Sequence, residues 1–374
     1  MTKKELEDFL DNFSDLSDPR SERNRLYSMD EILLVSLCAC ICGAEGWQDI
    51  EDYGNAQLDI LKTLLPYKNG IPSDDTFRRF FRALDPVEFQ NLFRECVVSL
   101  QPQIEDVIAI DGKSSRNSFD ENQKMLHMIS AYATDARLVL AQEKVDEKSN
   151  EIIAIPKLLN VLDLRGSTVT IDAMGCQYAI AKQIIEKEGN YIFSLKGNQS
   201  TLNQDVQDFF NDKELCKSAS YCEDHDKGHG RLESRKCLVA TDVQWLKERH
   251  SQWNSINSIV RIESSREING KTTQETRFYI SSCADPAETA LRKIRNHWAI
   301  ENSLHWVLDM SFGDDQSRIR KKNAPQIMAI IRHMALNLLQ LQKKTMPRQS
   351  IKRLRKMAGW SQKILMQILS QKFS

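Results

Sequence analysis

Apolar positions in the first hundred residues recur every three or four residues, which is the spacing of one helix face. The first such face comprises Leu6, Phe9, Leu10 and Phe13. Ser28 and Glu31 form an N-terminal capping pattern before the apolar run 32–44, which predicts a buried helix. Further helices are predicted over residues 49–65, 74–84 and 86–100. Residues 1–100 are therefore predicted to form an N-terminal all-α domain.

The predicted helix over residues 74–84 has a strongly basic outer face. Arg78, Arg79 and Arg82 lie on the side opposite its phenylalanines. An ordinary amphipathic helix and a helix that contacts DNA both have this pattern, and we favour the ordinary helix.

The hydrophobic period changes after residue 104, where short apolar runs replace the helical spacing. Strands are predicted over residues 107–110, 127–133, 138–145, 168–171 and 191–195, and helices over residues 151–164 and 177–188. A short turn separates the second strand from the third, which predicts a hairpin. The later strands alternate with helices, which predicts parallel β-α-β units. The predicted fold class is therefore α/β, with a mixed sheet flanked by helices.

The C-terminal part alternates between strand-like and helical segments. Residues 203–285 contain short alternating segments and are predicted to form a β-rich insertion. A long helix is predicted over residues 287–309, and a last helix over residues 324–341. The α/β domain is accordingly placed at residues 101–340, and residues 341–374 remain as a basic C-terminal tail.

The formal net charge of the 374-residue chain is −1, but this charge is unevenly distributed. No acidic residue follows Asp315, and residues 316–374 contain fourteen lysines and arginines. The preceding 315 residues therefore carry a net charge of −15. Because a solvated surface normally mixes both signs, this asymmetry favours a polyanionic partner, which we interpret as nucleic acid.

Several other classes of protein have no support in the sequence. The apolar run 32–44 is too short to span a bilayer, and the N-terminal residues lack a signal-peptide core, so a cytoplasmic location is expected. The nine cysteines are scattered, as reduced core thiols are. The chain has no P-loop, so no nucleotide cofactor is expected. Cys222, His225 and His229 lack the second ligand pair of a zinc site, and a phosphate-facing loop around Arg231 fits better.

Two predicted strands end in an aspartate that is followed shortly by glycine. Asp111 comes after residues 107–110, and Asp172 comes after residues 168–171. The corresponding ends of neighbouring parallel strands lie at one edge of a sheet, so the two carboxylates should be adjacent. Adjacent carboxylates repel unless a cation lies between them, and oxygen ligands suit Mg²⁺ or Mn²⁺. A simple strand cap is the alternative for Asp111 when it is considered alone.

The predicted helix 287–309 supplies the third acidic candidate. Four of its polar residues recur every four positions and so share one face: His297, Glu301, His305 and Asp309. A seam of this composition is unusual on a core helix and contains no lysine, which favours a functional role over a solvent-exposed face. Three carboxylates that bind two divalent cations can catalyse the displacement of a phosphodiester, a reaction that needs no covalent enzyme intermediate.

Five ordered motifs resemble the DDE transposases of bacterial insertion sequences, and most closely the H-repeat-associated transposase-like proteins found beside Rhs elements. The motifs lie at residues 109–113, 170–175, 193–199, 229–235 and 298–306. The resemblance covers nearly the whole chain and implies an RNase H-like core with the insertion before the glutamate. It assigns Asp111, Asp172 and Glu301 as the catalytic, metal-binding triad. It also implies a nucleoid-associated homo-oligomer that acts on double-stranded DNA, as transposon ends and target.

The chain departs from related transposases around Glu301. Ile294, His297 and Asp309 stand where those proteins often carry tyrosine, arginine and lysine. DNA contacts are therefore assigned to other basic residues: Lys113, Lys196, Arg231, Arg318, Arg320, Lys321 and Lys322. Three functions remain open: DNA cleavage with 3′-hydroxyl strand transfer, which we favour, hydrolysis by a nuclease, and DNA binding by a non-enzymatic remnant, which the intact triad disfavours.

Overall fold

The N-terminal helices begin where the capping pattern predicts. The computed structural model describes residues 16–100, 105–119, 124–145, 151–228 and 231–371, so the predicted helix face at residues 6–13 lies outside them. Ser28 Oγ accepts a hydrogen bond from the Glu31 amide at 3.2 Å, and the Glu31 carboxylate accepts one from the Ser28 amide at 3.1 Å. The N-terminal helices are α1 (Met29–Cys42), α2 (Trp47–Ala56), α3 (Leu58–Leu61), α4 (Asp74–Ala83) and α5 (Pro86–Leu100).

Nine strands form one mixed sheet. They are β1 (Val107–Ser115), β2 (Leu126–Ala133), β3 (Leu138–Val145), β4 (Thr168–Ile171), β5 (Asn190–Leu195), β6 (Ser220–Gly228), β7 (Arg231–Ala240), β8 (Ser258–Ile268) and β9 (Lys271–Ser281). Their order is β3-β2-β1-β4-β5-β9-β8-β7-β6. β1 pairs with β2 in antiparallel and with β4 in parallel orientation, and β4 pairs with β5 in parallel orientation. The predicted mixed sheet flanked by helices is confirmed.

The β-rich insertion extends this same sheet. Residues 192–195 of β5 pair antiparallel with residues 278–281 of β9, and β8, β7 and β6 follow as antiparallel neighbours. The helices between and after the strands are α6 (Glu151–Asn160), α7 (Tyr178–Glu186), α8 (Ser200–Asn211), α9 (Gln244–Arg249) and α10 (Ala287–His297). Val260 and Ile262 of β8 pack with Leu291 of α10 in a second apolar cluster, which anchors the insertion to the core.

The long helix predicted over residues 287–309 is present as three consecutive helical segments and not as one regular α-helix. α10 ends at His297, a π-helical segment spans Ile300–His305, and α11 follows at Trp306–Phe312. A π-helical turn contains more residues than an α-helical one, so it changes the direction of the side chains that follow. Such segments are frequent at functional sites.

The residues predicted as a basic tail, 341–374, contain packed helices. α12 (Ala324–Thr345) continues into this segment, and α13 (Ile351–Trp360) and α14 (Gln362–Leu369) follow. The Arg355 guanidinium donates to the Cys40 carbonyl oxygen at 2.7 Å and lies 4.1 Å from the centre of the Phe312 ring. α12, α13 and α14 therefore pack on α1 and join the two ends of the chain in one helical layer. Within the described residues, no helix has the length and apolar character needed to cross a membrane.

Candidate active site

β1 and β4 bring two aspartates to one edge of the sheet. Residues 107–110 pair in parallel with residues 168–171, and Asp111 and Asp172 are the next residues of the two strands. β1 continues beside β2, whereas the chain after β4 turns at once into a 3₁₀ turn at Ala173–Gly175. The expected neighbouring positions of the two aspartates are thus confirmed by the strand pairing.

Backbone amides orient both carboxylates. Asp111 Oδ1 accepts a hydrogen bond from the Gly112 amide at 2.8 Å, and Asp172 Oδ1 accepts one from the Met174 amide at 3.0 Å. A side chain held in this way loses little rotamer freedom when it binds a ligand. A Cβ at position 112 would lie 2.6 Å from Glu151 Oε1 and 2.8 Å from His127 Nε2, so a larger residue would have to displace this side-chain pair.

One cavity of about 190 Å³ contains all three predicted acidic residues. Asp111 and Asp172 come from the sheet, and Glu301 comes from the π-helical segment. Other polar and aromatic residues of the lining are Lys196, Arg277, Tyr279, His297 and Trp298. Three carboxylates from distant parts of the chain therefore line one cavity, together with Lys196, which the sequence analysis assigned to DNA contact. Arg277 was not predicted, because its place in the cavity depends on the pairing of β9 with β5.

The cavity disfavours ionisation of its first aspartate. Burial raises the pKa of Asp111 to about 6, although the Gly112 amide acts in the opposite direction. The other acidic groups nearby, Asp172, Glu151 and Glu301, add to the increase in that order. A divalent cation would remove this penalty, so the all-oxygen donor set fits Mg²⁺ or Mn²⁺.

The two histidines of the predicted polar seam are uncharged partners of the sheet. His297 Nδ1 lies 3.0 Å from Thr170 Oγ1, and burial lowers the pKa of His297 despite the nearby Asp172. His305 Nδ1 lies 3.6 Å from Asp111 Oδ2, and burial, followed by the charge of Lys113, lowers the pKa of His305 to about 3. Neither imidazole therefore supplies a positive charge at neutral pH.

A second acidic group, Asp309, Asp314 and Asp315, brings three carboxylate oxygens within 4.8 Å of one another. Lys113 Nζ lies 2.6 Å from Asp309 and 3.3 Å from Asp315, and Arg332 Nη1 lies 2.6 Å from Asp314. Arg116 Nε lies 3.2 Å from Asp315, so three cations balance the three carboxylates and the group does not need a metal. The Lys113 side chain is only 12% exposed, and its ammonium group faces carboxylates and not solvent. Its assignment to DNA contact stays a prediction, and in this structure its ammonium group is engaged by Asp309 and Asp315.

The other predicted DNA-binding residues lie on three separate surfaces. Lys196 lines the cavity. Arg231 begins β7 and pairs with Glu233 at 3.1 Å. The remaining four lie together in the segment between α11 and α12: Arg318, Arg320, Lys321 and Lys322. The candidate site therefore contains one of the seven predicted basic residues.

The described residues do not support a zinc site formed by Cys222, His225 and His229. Cys222 and His225 both lie on β6, three positions apart, so their side chains project from opposite faces of the strand. Cys222 is opposite Cys237 in the pairing of β6 with β7. His229 lies outside the described residues.

Sequence profiles of two families match the chain. The profile described as Transposase DDE domain covers residues 102–338, and the one described as DDE_Tnp_1-associated covers residues 10–97. The chain belongs to the DDE transposase family. Its match to the transposase domain includes all three acidic residues of the cavity, Asp111, Asp172 and Glu301.

Two relatives match the chain over more than nine-tenths of their own lengths. The "H repeat-associated putative transposase YhhI" of Escherichia coli (strain K12) is 40% identical over 351 residues, which cover 90% of this chain and 91% of the relative. An uncharacterised protein in the dhlA 3′ region of Xanthobacter autotrophicus is 39% identical, over 73% of this chain and 94% of the relative. The resemblance to H-repeat-associated proteins is confirmed. The solved piggyBac transposase synaptic complex with hairpin DNA covers 98% of this chain and 77% of its own, at 9% identity and a TM-score of 0.45.

Proposed function

We propose that this chain cleaves DNA strands with the help of divalent metal ions and transfers the resulting 3′-hydroxyl to target DNA. The observation that supports this proposal most strongly is the convergence of Asp111, Asp172 and Glu301 on one cavity. These three carboxylates would hold Mg²⁺ or Mn²⁺, which when bound activates the attacking oxygen and stabilises the leaving oxygen. In this proposal residues 101–340 are the catalytic unit, and double-stranded DNA is the substrate.

The basic residues of the cavity would hold the reacting phosphate. Arg277 donates to Glu275 at 2.7 and 3.0 Å, and its guanidinium lies 5.1 Å from the centre of the Trp298 ring. This pairing and stacking fix the guanidinium at the cavity wall, where Lys196 supplies a second positive charge. Arg277 therefore compensates for the arginine that is replaced by His297 in this chain.

Strand transfer separates a transposase from a nuclease with the same site. A duplex with a free 3′-hydroxyl at a pre-cut element end is incubated with plasmid target in Mg²⁺, and joined products are resolved on a gel. A transposase is expected to join the end to the plasmid, and the same duplex ending in a 3′-deoxy nucleotide should give no joined product. Cleaved but unjoined DNA would indicate hydrolysis alone, and binding without cleavage would indicate a remnant.

Mg²⁺ is expected to raise the thermal unfolding midpoint, and to raise it more at about pH 8 than at about pH 5. A ligand at a hundredfold excess over its Kd stabilises the folded state by about 2.7 kcal/mol. The pKa of Asp111 is about 6, so the carboxylate is free for the cation above this pH and holds a competing proton below it. The Asp111→Asn variant is the control, and the effect of Mg²⁺ on its unfolding midpoint should not differ between the two pH values. Equal stabilisation at both pH values would contradict this explanation.

A further inference from the structure

A large basic cleft lies between the N-terminal helices and the segment that leads into α12. Its volume is about 420 Å³, and it shares no lining residue with the catalytic cavity. Five basic side chains line it: Arg78 and Arg82 from α4, and Arg318, Arg320 and Lys321 from the segment before α12. Cations from distant parts of the sequence are thus gathered in one depression, called the basic cleft below.

Hydrogen bonds fix the two walls of the basic cleft relative to each other. Asn323 Nδ2 donates to the carbonyl oxygen of Leu84, the residue that follows α4, at 3.0 Å. Arg332, on α12, donates to the carbonyl oxygen of Glu45 at 3.4 Å, and Glu45 itself lines the cleft. The arrangement of the cations is therefore set by the fold and not by loose side chains.

The charge of the basic cleft is only partly neutralised. Arg78 pairs with Asp74 at 2.5 Å and with Asp75 at 3.3 Å. In the described part of the chain, no carboxylate forms an ion pair with the other basic residues of the lining: Arg82, Arg318, Arg320 and Lys321. Grouped cations without partners repel one another, and a polyanion that replaces their counterions relieves this repulsion.

A second basic cavity continues from the cleft, and Arg320 lines both. Arg320 Nε donates to the Asn117 carbonyl oxygen at 2.9 Å, and its guanidinium lies 4.4 Å from the centre of the Phe119 ring. The second cavity has a volume of about 120 Å³ and includes Lys144 and Lys322. Because Arg320 lines both cavities, their cations adjoin, and this combined extent suits a chain of phosphates better than one small anion.

We propose that the basic cleft and the cavity beside it bind the phosphate backbone of double-stranded DNA away from the cleavage point. This inference rests on the proposed function, which makes DNA the substrate. It assigns α4 a direct part in holding the substrate through Arg82. The sequence pattern alone favours an ordinary amphipathic helix there, because it does not show that Arg82 faces Arg318 and Lys321.

The salt dependence of DNA binding tests this proposal. The variant carries three substitutions that remove unpaired cations from the basic cleft: Arg82→Gln, Arg318→Gln and Lys321→Gln. Its affinity for a duplex is measured by fluorescence anisotropy at several salt concentrations, with EDTA present to prevent cleavage. The plot of log K against log salt has a negative slope, and each lost phosphate contact reduces its magnitude by about 0.9. The magnitude of the slope should therefore decrease by about 2 to 3 in the variant.

A matched variant removes the same charge outside the basic cleft. It carries three substitutions at exposed basic residues: Arg79→Gln, Lys352→Gln and Lys363→Gln. Its slope should remain within about 0.5 of the wild-type slope, because these residues line neither cavity. Equal slopes for the two variants would overturn the proposal, and thermal unfolding checks that both are folded.

Cleavage kinetics distinguish a failure of this inference from a failure of the proposed function. If the wild-type chain cuts DNA, the cleft variant should need at least about tenfold more DNA for half-maximal rate, while its rate at saturation changes by less than about threefold. A large loss of the saturated rate alone would contradict a binding role. If the wild-type chain cuts no DNA, the proposed function fails, whereas the salt slopes still decide whether the basic cleft binds DNA.

Discussion

Replacing Asp111, Asp172 or Glu301 by the matching amide is expected to lower the DNA cleavage rate by about a thousandfold or more. Each carboxylate is proposed to bind the catalytic cations, whose stabilisation of transition-state charge is worth several kcal/mol. A loss of about 4 kcal/mol corresponds to a factor of about a thousand. The rate is measured with a labelled duplex in Mg²⁺ at saturating protein, so that any change in DNA affinity does not affect the result.

The metal-free stability of the Asp111→Asn variant separates a functional role from a structural one. Burial and neighbouring carboxylates raise the pKa of Asp111, so its ionised form destabilises the folded protein above about pH 6. The uncharged amide should therefore leave the unfolding midpoint in EDTA unchanged or higher at about pH 8. A structural carboxylate would give a lower midpoint.

Asp309→Asn is a suitable comparison, because Asp309 belongs to the same predicted seam but contacts Lys113 outside the cavity. Its cleavage rate should remain within about tenfold of the wild-type rate, since it is not a proposed metal ligand. If Asp309→Asn abolished cleavage while Glu301→Gln cut normally, the third acidic residue would have to be reassigned.

Strands and helices of the core were predictable because their hydrophobic periods are strong and local. The apolar runs before Asp111 and Asp172 indicated buried strands, and their parallel pairing is consistent with the hairpin and the single helix α6 between them. The helices of residues 341–374 were not predicted, because frequent lysines and arginines obscure their apolar face. Ile351, Leu354 and Ala358 form that face and are buried. These apolar residues do recur at helical intervals, but the many lysines and arginines led to the interpretation of the segment as a basic tail.

Features of the candidate site that depend on tertiary contacts could not be predicted from the sequence. Arg277 reaches the cavity through the pairing of β9 with β5, which joins segments about eighty residues apart. The π-helical segment around Glu301 depends on how the chain between α10 and α11 packs against the sheet. Lys113 follows Asp111 closely in sequence, yet it pairs with Asp309 and Asp315. Its proximity to Asp111 in sequence therefore did not reveal these ion pairs.

Replacing Arg332 by methionine is expected to lower the free energy of unfolding by about 3 kcal/mol, within the range for breaking a buried ion pair. Arg332 and Asp314 are 3% and 4% exposed, and their side chains lie 2.6 Å apart. Burial alone would raise the pKa of Asp314, but Arg332 and then Lys113 hold it below its ordinary value. The variant leaves this carboxylate buried with Lys113, 3.9 Å away, as its remaining cation.

The pH dependence of the loss identifies its cause. A depressed pKa stabilises the folded protein above the unfolded-state pKa of an aspartate, and this contribution is lost as the pH falls. The difference between wild type and Arg332→Met, measured by urea unfolding, should therefore be fully present above about pH 4 and shrink as the pH falls further.

Two comparisons test whether the buried pair is responsible. Adding Asp314→Asn to Arg332→Met should restore part of the stability, because the uncompensated charge is gone. Arg165→Met breaks a pair with Asp163 of similar length at an exposed position, and should cost much less than Arg332→Met because solvent screens the exposed pair. Because Asp314 also accepts a hydrogen bond from Ser115 at the end of β1, a loss as small as that of Arg165→Met would mean that other contacts hold the segment before α12 beside the catalytic strand.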